Sequence, residues 1–126
     1  VSLESEIYSR LSSTGALTAI VSNRIYPSVI PQNALYPAVA YQRISSQRES
    51  VMGTDTGDLM ARVQFSLHGA SFTGHIVPGV AALRAALQRY SGGNIQDCYI
   101  DGEIHDYDDE LGLHRAVVDF LIWYKE

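Results

Sequence analysis

The sequence predicts an α+β domain: a four-stranded, mostly antiparallel sheet with helices packed on one face, in the order α-α-β-β-α-β-β. Three observations predict it. Apolar residues recur at helical spacing near the start of the chain and again in its middle, which is the pattern of a one-faced helix. They alternate at every second position in four other stretches, the pattern of strands covered on one side. Glycines, prolines and polar runs separate these segments, and the short connections favour antiparallel neighbours.

Ser2 is placed to cap a first helix whose Leu3, Ile7 and Leu11 form one stripe. Glu4 and Glu6 in its first turn and Arg10 in its last suit the helix dipole. The run Ser12-Ser13-Thr14-Gly15 ends it, and residues 16–21 read as a second short helix. Pro27, Pro31 and Pro37 then remove backbone donors and push their predecessors toward extended geometry, so the crossing is expected to be irregular and non-helical. A first strand is expected over residues 38–44, and a cleaner one over 62–68, with Val63, Phe65 and Leu67 inward. Between them, residues 45–58 are polar and contain Gly53 and Gly57, long for a hairpin turn. Either the two strands run on as a projecting arm, or this segment becomes ordered only on a partner.

Thr73 is the expected cap of the principal helix, whose Ile76, Val80, Leu83, Leu87 and Tyr90 make one apolar face. Gly92-Gly93 is expected to end it. A third strand places Cys98, Ile100 and Ile104 opposite Tyr99, Asp101, Glu103 and His105. An acidic turn, Asp108-Asp109-Glu110-Leu111 closed by Gly112, leads into the last strand. There Ala116, Val118, Phe120, Ile122 and Tyr124 share one face, with Arg115, Val117, Asp119, Leu121 and Trp123 on the other. Trp123 and Leu121 on the less covered face suggest a subunit contact.

A chain of 126 residues reads as a single domain, residues 1–126, with enough length for one core. Nine basic residues against 14 acidic give a net charge of −5, the wrong sign for wrapping a nucleic-acid duplex. Eight of the nine are arginines, with Lys125 the exception, and arginine suits geometrically fixed ion pairs at interfaces. Cys98 is the only cysteine, so no intrachain disulfide or thiolate cluster is expected, and a buried apolar role is. No membrane-spanning run and no signal-peptide pattern are visible, so a soluble protein made in a reducing cytosol is expected.

Catalytic patterns do not emerge. Asp106, Asp108, Asp109 and Glu110 lack the alternating spacing of a calcium loop. His105 and His114 flank the acidic turn, but spacing supplies no third imidazole for zinc. His68 and His75 lie near Ser66 and Ser71 without a Gly-x-Ser-x-Gly elbow, and no phosphate-cradling glycine loop is present. The eight tyrosines are not interleaved with basic residues as on a base-stacking platform. No cofactor, no metal and no enzymatic activity are expected.

Several ordered segments carry a resemblance. They are Arg24-Ile25-Tyr26-Pro27, residues 37–44, Ala61-Arg62-Val63-Gln64-Phe65, the helix at residues 80–87, and residues 106–124 with the entry Gly112-Leu113-His114-Arg115. In this order the chain resembles the tail-completion proteins of long-tailed phages, also called tail terminators or tail-to-head joining proteins. The resemblance implies a structural virion protein, assembled in the host cytoplasm, that forms a homo-oligomeric ring, commonly a hexamer. Such a ring sits on the head-proximal end of the tail tube, stops tube growth and joins the tail to the head. The implied partners are the tail tube protein and a head–tail connector or stopper protein. Genome DNA would pass through the hole without its sequence being read. The same size suits a gene transfer particle, and a neck adaptor or stopper between portal and tail is the alternative. A small enzyme or ligand-binding domain is a more distant one.

A ring requires two different patches on each subunit, and complementary charge can set their register. The expected interface residues are Arg24 and Tyr26 in the proline-rich crossing, Arg43 and Arg48 near the long hairpin, and Asp108, Asp109 and Glu110 as the acidic counterpart. The acidic turn either meets arginines across the subunit boundary or faces the hole, where it would repel phosphate.

Overall fold

The computed structural model describes residues 2–126, the side chains of residues 50, 51 and 55 excepted. Ser2 caps α1 (Leu3–Ser12) as expected: its Oγ accepts the Ser5 N–H, and the Ser5 Oγ accepts the Ser2 N–H in return. A second helix, α2 (Gly15–Val21), follows at once. The principal helix α3 (Val77–Leu87) is entered through a π-helical turn, Phe72–Ile76. The cap of that turn is Ser71 rather than Thr73, its Oγ taking the Gly74 N–H at 3.0 Å.

The sheet has five strands, not four. Strands β2 (Ala38–Val51), β3 (Thr54–Gly69), β4 (Ile95–Asp108) and β5 (Leu113–Lys125) are joined by β1 (Ile25–Pro27). In space the order is β1-β2-β3-β5-β4, with β1 parallel to β2 and all other pairs antiparallel. The extra strand falls in the proline-punctuated crossing, where three residues are too few for alternation to register. It forms because Ile25 is buried against the helices and because Val39 and Tyr41 offer outward backbone groups. The Val39 N–H donates to the Arg24 carbonyl, and the Ser28 N–H to that of Tyr41.

The projecting-arm reading of residues 45–58 is the one realised. Strands β2 and β3 stay paired out to Val51 and Thr54, and Gly53 turns the hairpin at φ +82°. Met52 at its tip is fully exposed. No core lies beneath the distal part of this arm, so its sequence carries no apolar alternation.

Helices cover one face of the sheet. Leu3, Ile7 and Leu11 of α1, Leu17 and Val21 of α2, and Leu83 and Leu87 of α3 bury against Val63, Phe65, Leu67, Val118, Phe120 and Ile122. Phe65 and Phe120 meet edge to face, with centroids 5.6 Å apart. Each such side chain contributes about 1.5–3 kcal/mol through burial, and no charged or polar residue is wholly buried among those described.

Two further expectations are corrected. Helix α3 ends at Leu87 and does not reach Tyr90, because residues 88–89 turn aside to bond the outer edge of β4. There the Arg89 N–H donates to the Cys98 carbonyl, and the Gln88 Oε1 accepts the Ile100 N–H. Gly92-Gly93 therefore leads into β4 instead of ending the helix. Ile104 does not share the buried face with Cys98. A bulge between Ile100 and Gly102 switches the side to which β4 residues point. Ile104 is left 66% exposed.

Candidate functional site

The sheet's uncovered face and its two long hairpins carry the unassigned chemistry. At the middle of that face, the Arg62 Nη1 reaches Asp101 Oδ2 at 2.6 Å and Asp119 Oδ2 at 3.5 Å. The hydrogen bond to Asp101 raises the Arg62 pKa, fixing the guanidinium as a charge bridging β3, β4 and β5. Beside this triad, Leu121, Tyr99 and Met60 are half-buried around Trp123, which is 40% exposed. An amphipathic ring of this size on an open sheet is the kind of side chain that anchors protein contacts.

Toward the β4–β5 turn, Arg115 forms a forked pair with Asp106, its Nε 3.0 Å from Oδ1. That bond holds the Asp106 carboxyl below its usual range and the Arg115 guanidinium above its own. His68, directly across from Arg115, is pushed down first by burial and then by that cation. Together with Asp108, Asp109 and Glu110 these residues line an open cavity of about 430 Å³. On the helix side of the same hairpin, Phe72 packs against His105 and His114, with centroids 6.1 and 5.7 Å away. Tyr107 completes this aromatic cluster against His114 at 4.7 Å. Among the described residues, no group of three or more histidine, cysteine or acidic side chains is arranged to hold a metal ion. No helix among them is long and apolar enough to cross a membrane.

The expected interface residues fall in three places. Arg24 directs its Nε to the Pro37 carbonyl at 2.7 Å, tying the ends of the crossing together, and Tyr26 stands half-buried in β1. Arg43 pairs with Glu4 of α1 at 2.8 Å, and Arg48 pairs with Glu126. Asp108 turns its carboxylate onto the Glu110 and Leu111 N–H groups, shaping the turn. Asp109 and Glu110 have no side-chain partner among the described residues. The β2–β3 tip and the β4–β5 tip lie at opposite ends of the sheet, and β2 and β4 lie toward opposite edges. Within one chain the arginines of the arm and the acidic turn are therefore kept apart.

Two features escaped the sequence reading. The Arg62 triad depends on the bulge in β4, which no local pattern signals. The Asp106–Arg115 pair did carry a signal that would have found it: residues equidistant from the turn at 109–112 must face each other across an antiparallel hairpin.

The family described as "Tail completion protein gp17" matches residues 5–125. The chain belongs to that family. Among solved structures, 22 chains match. One of them, from the "Virion of native gene transfer agent (GTA) particle", has a TM-score of 0.81 with 17% sequence identity over 98% of this chain and 95% of that one. At that identity the likeness is one of fold, and it spans nearly the whole of both chains. No curated protein matches.

Proposed function

We propose that the chain is a structural virion protein that forms a ring on the head-proximal end of the tail tube, ends tube growth and joins the tail to the head. The observation that carries this reading is membership of the tail completion family over residues 5–125. The shape supports it. Two long hairpins and an uncovered sheet face, bearing Trp123 and a charged triad, give one subunit several distinct contact surfaces. Distinct surfaces are what a ring requires, since each subunit must meet two neighbours through different patches.

In this reading Arg43, Arg48, Asp108, Asp109 and Glu110 work at the boundary between subunits. Arg24, Tyr26 and the exposed Val29 and Leu35 of the same crossing meet the tail tube or the connector. The mechanism is one of fit. Bound subunits cover the tube surface that the next tube layer would use, and their other side presents a seat for the head connector. Genome DNA passes through the hole, and a net charge of −5 keeps phosphate from sticking there. The protein acts on no substrate.

Incubating purified protein with isolated tail tubes and, separately, with DNA-filled heads tests the assignment. A tail terminator binds tube ends and leaves heads bare until a tail is supplied. Binding to filled heads in the absence of tails would make the chain a neck stopper instead.

A further inference from the structure

The two long hairpins leave two stretches of strand edge unpaired, and their geometry matches. On β2, the short strand β1 covers the outer edge only at residues 39–41. Beyond it, residues 42–49 are mostly exposed, and no backbone partner lies on that side among the described residues. On β4, Gln88 and Arg89 cover the outer edge at Cys98 and Ile100, and residues 101–108 beyond them are all exposed. Edges of this length are templates for strand addition unless something opposes it.

Backbone alternation fixes which groups point outward. Val39 and Tyr41 bond outward to the segment holding β1, so by alternation, with the bulge at Ile44 counted, Arg43, Ser46 and Arg48 also point outward. Cys98 and Ile100 bond outward to residues 88–89, so past the bulge at Asp101 the outward residues are Glu103, His105 and Tyr107. Both outward sets carry their side chains on the helix side of the sheet, since they lie opposite core-facing residues such as Leu59 and Val118. Strands β2 and β4 also run in opposite directions. Joining the β2 edge of one copy to the β4 edge of another therefore gives a regular antiparallel ladder, with both copies' helices on the same side.

Charge selects this pairing over self-pairing. The free part of β4 carries Asp101, Glu103, Asp106 and Asp108, so two β4 edges would bring carboxylates together. Two β2 edges would do the same for Arg43 and Arg48. The mixed pair avoids both clashes and sets Arg48 against Glu103 on the helix side of the sheet.

From these observations we infer that neighbouring copies in the ring join by strand addition, the β2 edge at residues 42–48 pairing antiparallel with residues 103–108 of the next copy's β4, Arg48 opposite Glu103 and Ser46 opposite His105. The neighbour's hairpin begins where β1 stops, so the two tile the β2 edge end to end. Its Asp109-Glu110 turn arrives beside the proline-rich crossing that holds Tyr26. The stagger also suits closure. Within one chain Tyr41 stands level with Glu103, through Phe65 and Val118. Moving Glu103 level with Arg48 past one bulge slides each copy by about six strand steps, ~20 Å, against a repeat of four strands, ~19 Å, because β1 and the neighbour's β4 share one column. The resulting tilt is about 45°, at the upper end of the range in which sheets close on themselves.

This inference rests on the ring reading above, and cysteine cross-linking separates the two. Gln47 and Ile104 flank the proposed pairs and would meet across the boundary. Inside one chain they lie at opposite edges and opposite ends of the sheet, too far apart for an intrachain disulfide. Oxidising Gln47→Cys/Ile104→Cys protein assembled on tail tubes should give a ladder of linked chains up to the full ring, with each single variant remaining unlinked. Rings without linkage, or dimers from a single variant, would overturn the edge pairing and leave the ring standing. Wild-type protein that forms no ring on tubes would overturn both. As a second reading, Arg48→Glu should lower ring occupancy at least tenfold, and Arg48→Glu/Glu103→Arg should restore it. Failure of that rescue in protein that melts like wild type would also overturn the pairing.

Discussion

At the scale of single residues, buried Cys98 and half-buried His68 report on the fold. Cys98 lies wholly buried under the helices, and burial pushes its thiol up to about 12. A neutral, enclosed thiol reacts poorly. Ellman's reagent should label Cys98 only as the protein unfolds, at a rate set by global opening; fast labelling of native protein would contradict this packing. His68 behaves differently because its pKa lies below its ordinary value of 6.5, pushed there by burial and by Arg115, with Asp106, Asp108 and the Ser66 backbone opposing. As pH falls below that ordinary value, the unfolded chain takes up the proton before the folded one does, so stability declines until the folded pKa is reached and then levels off. Thermal melts from pH 7 to 5 should show this slope in wild type and a flatter one in His68→Gln. An equal slope in both proteins would remove His68 as its source.

At the scale of elements, the packing of α3 on the sheet is the most exacting contact. Gly79 sits where a Cβ would overlap the Leu67 side chain. Gly79→Ala should therefore cost about 1–3 kcal/mol despite alanine's better helix propensity, measured by urea denaturation. Phe120→Ala, which removes half of the Phe65 ring pair, should cost about 3–5 kcal/mol. These are also the elements that the sequence made plain. Val63, Phe65 and Leu67 alternate cleanly, as do Val118, Phe120 and Ile122, because one side of their strands faces helices and the other faces water. Legibility failed where that contrast was missing. Strand β1 is three residues long among prolines, the distal β2–β3 arm has no core beneath it, and Ile104 lost its place to a one-residue bulge. The end of α3 was misplaced for a different reason: residues 88–89 gain partners on β4, a long-range bond that helical periodicity cannot foresee. Of the candidate site, the charge separation between the arginine-bearing first half and the acidic second half was readable. That Arg62 bridges Asp101 and Asp119 within one chain was not.

At the scale of the whole molecule, the fold divides its labour between two sides. Helices and core occupy one face; the opposite face and the hairpin tips are left uncovered. Arg48 and Asp109 lie at these extremities, away from the core. Arg48→Glu and Asp109→Arg should each leave the melting temperature within a few degrees of wild type while impairing ring closure or docking, as read by particle infectivity and electron microscopy. Normal rings and infectivity in both would detach these residues from assembly. The most direct measurement of the central claim is a growth assay on tail tubes. Tubes pre-incubated with this protein and then supplied with fresh tube subunits should stay at their starting length, with a ring visible at one end. Tubes that lengthen at the same rate with and without the protein would contradict the account.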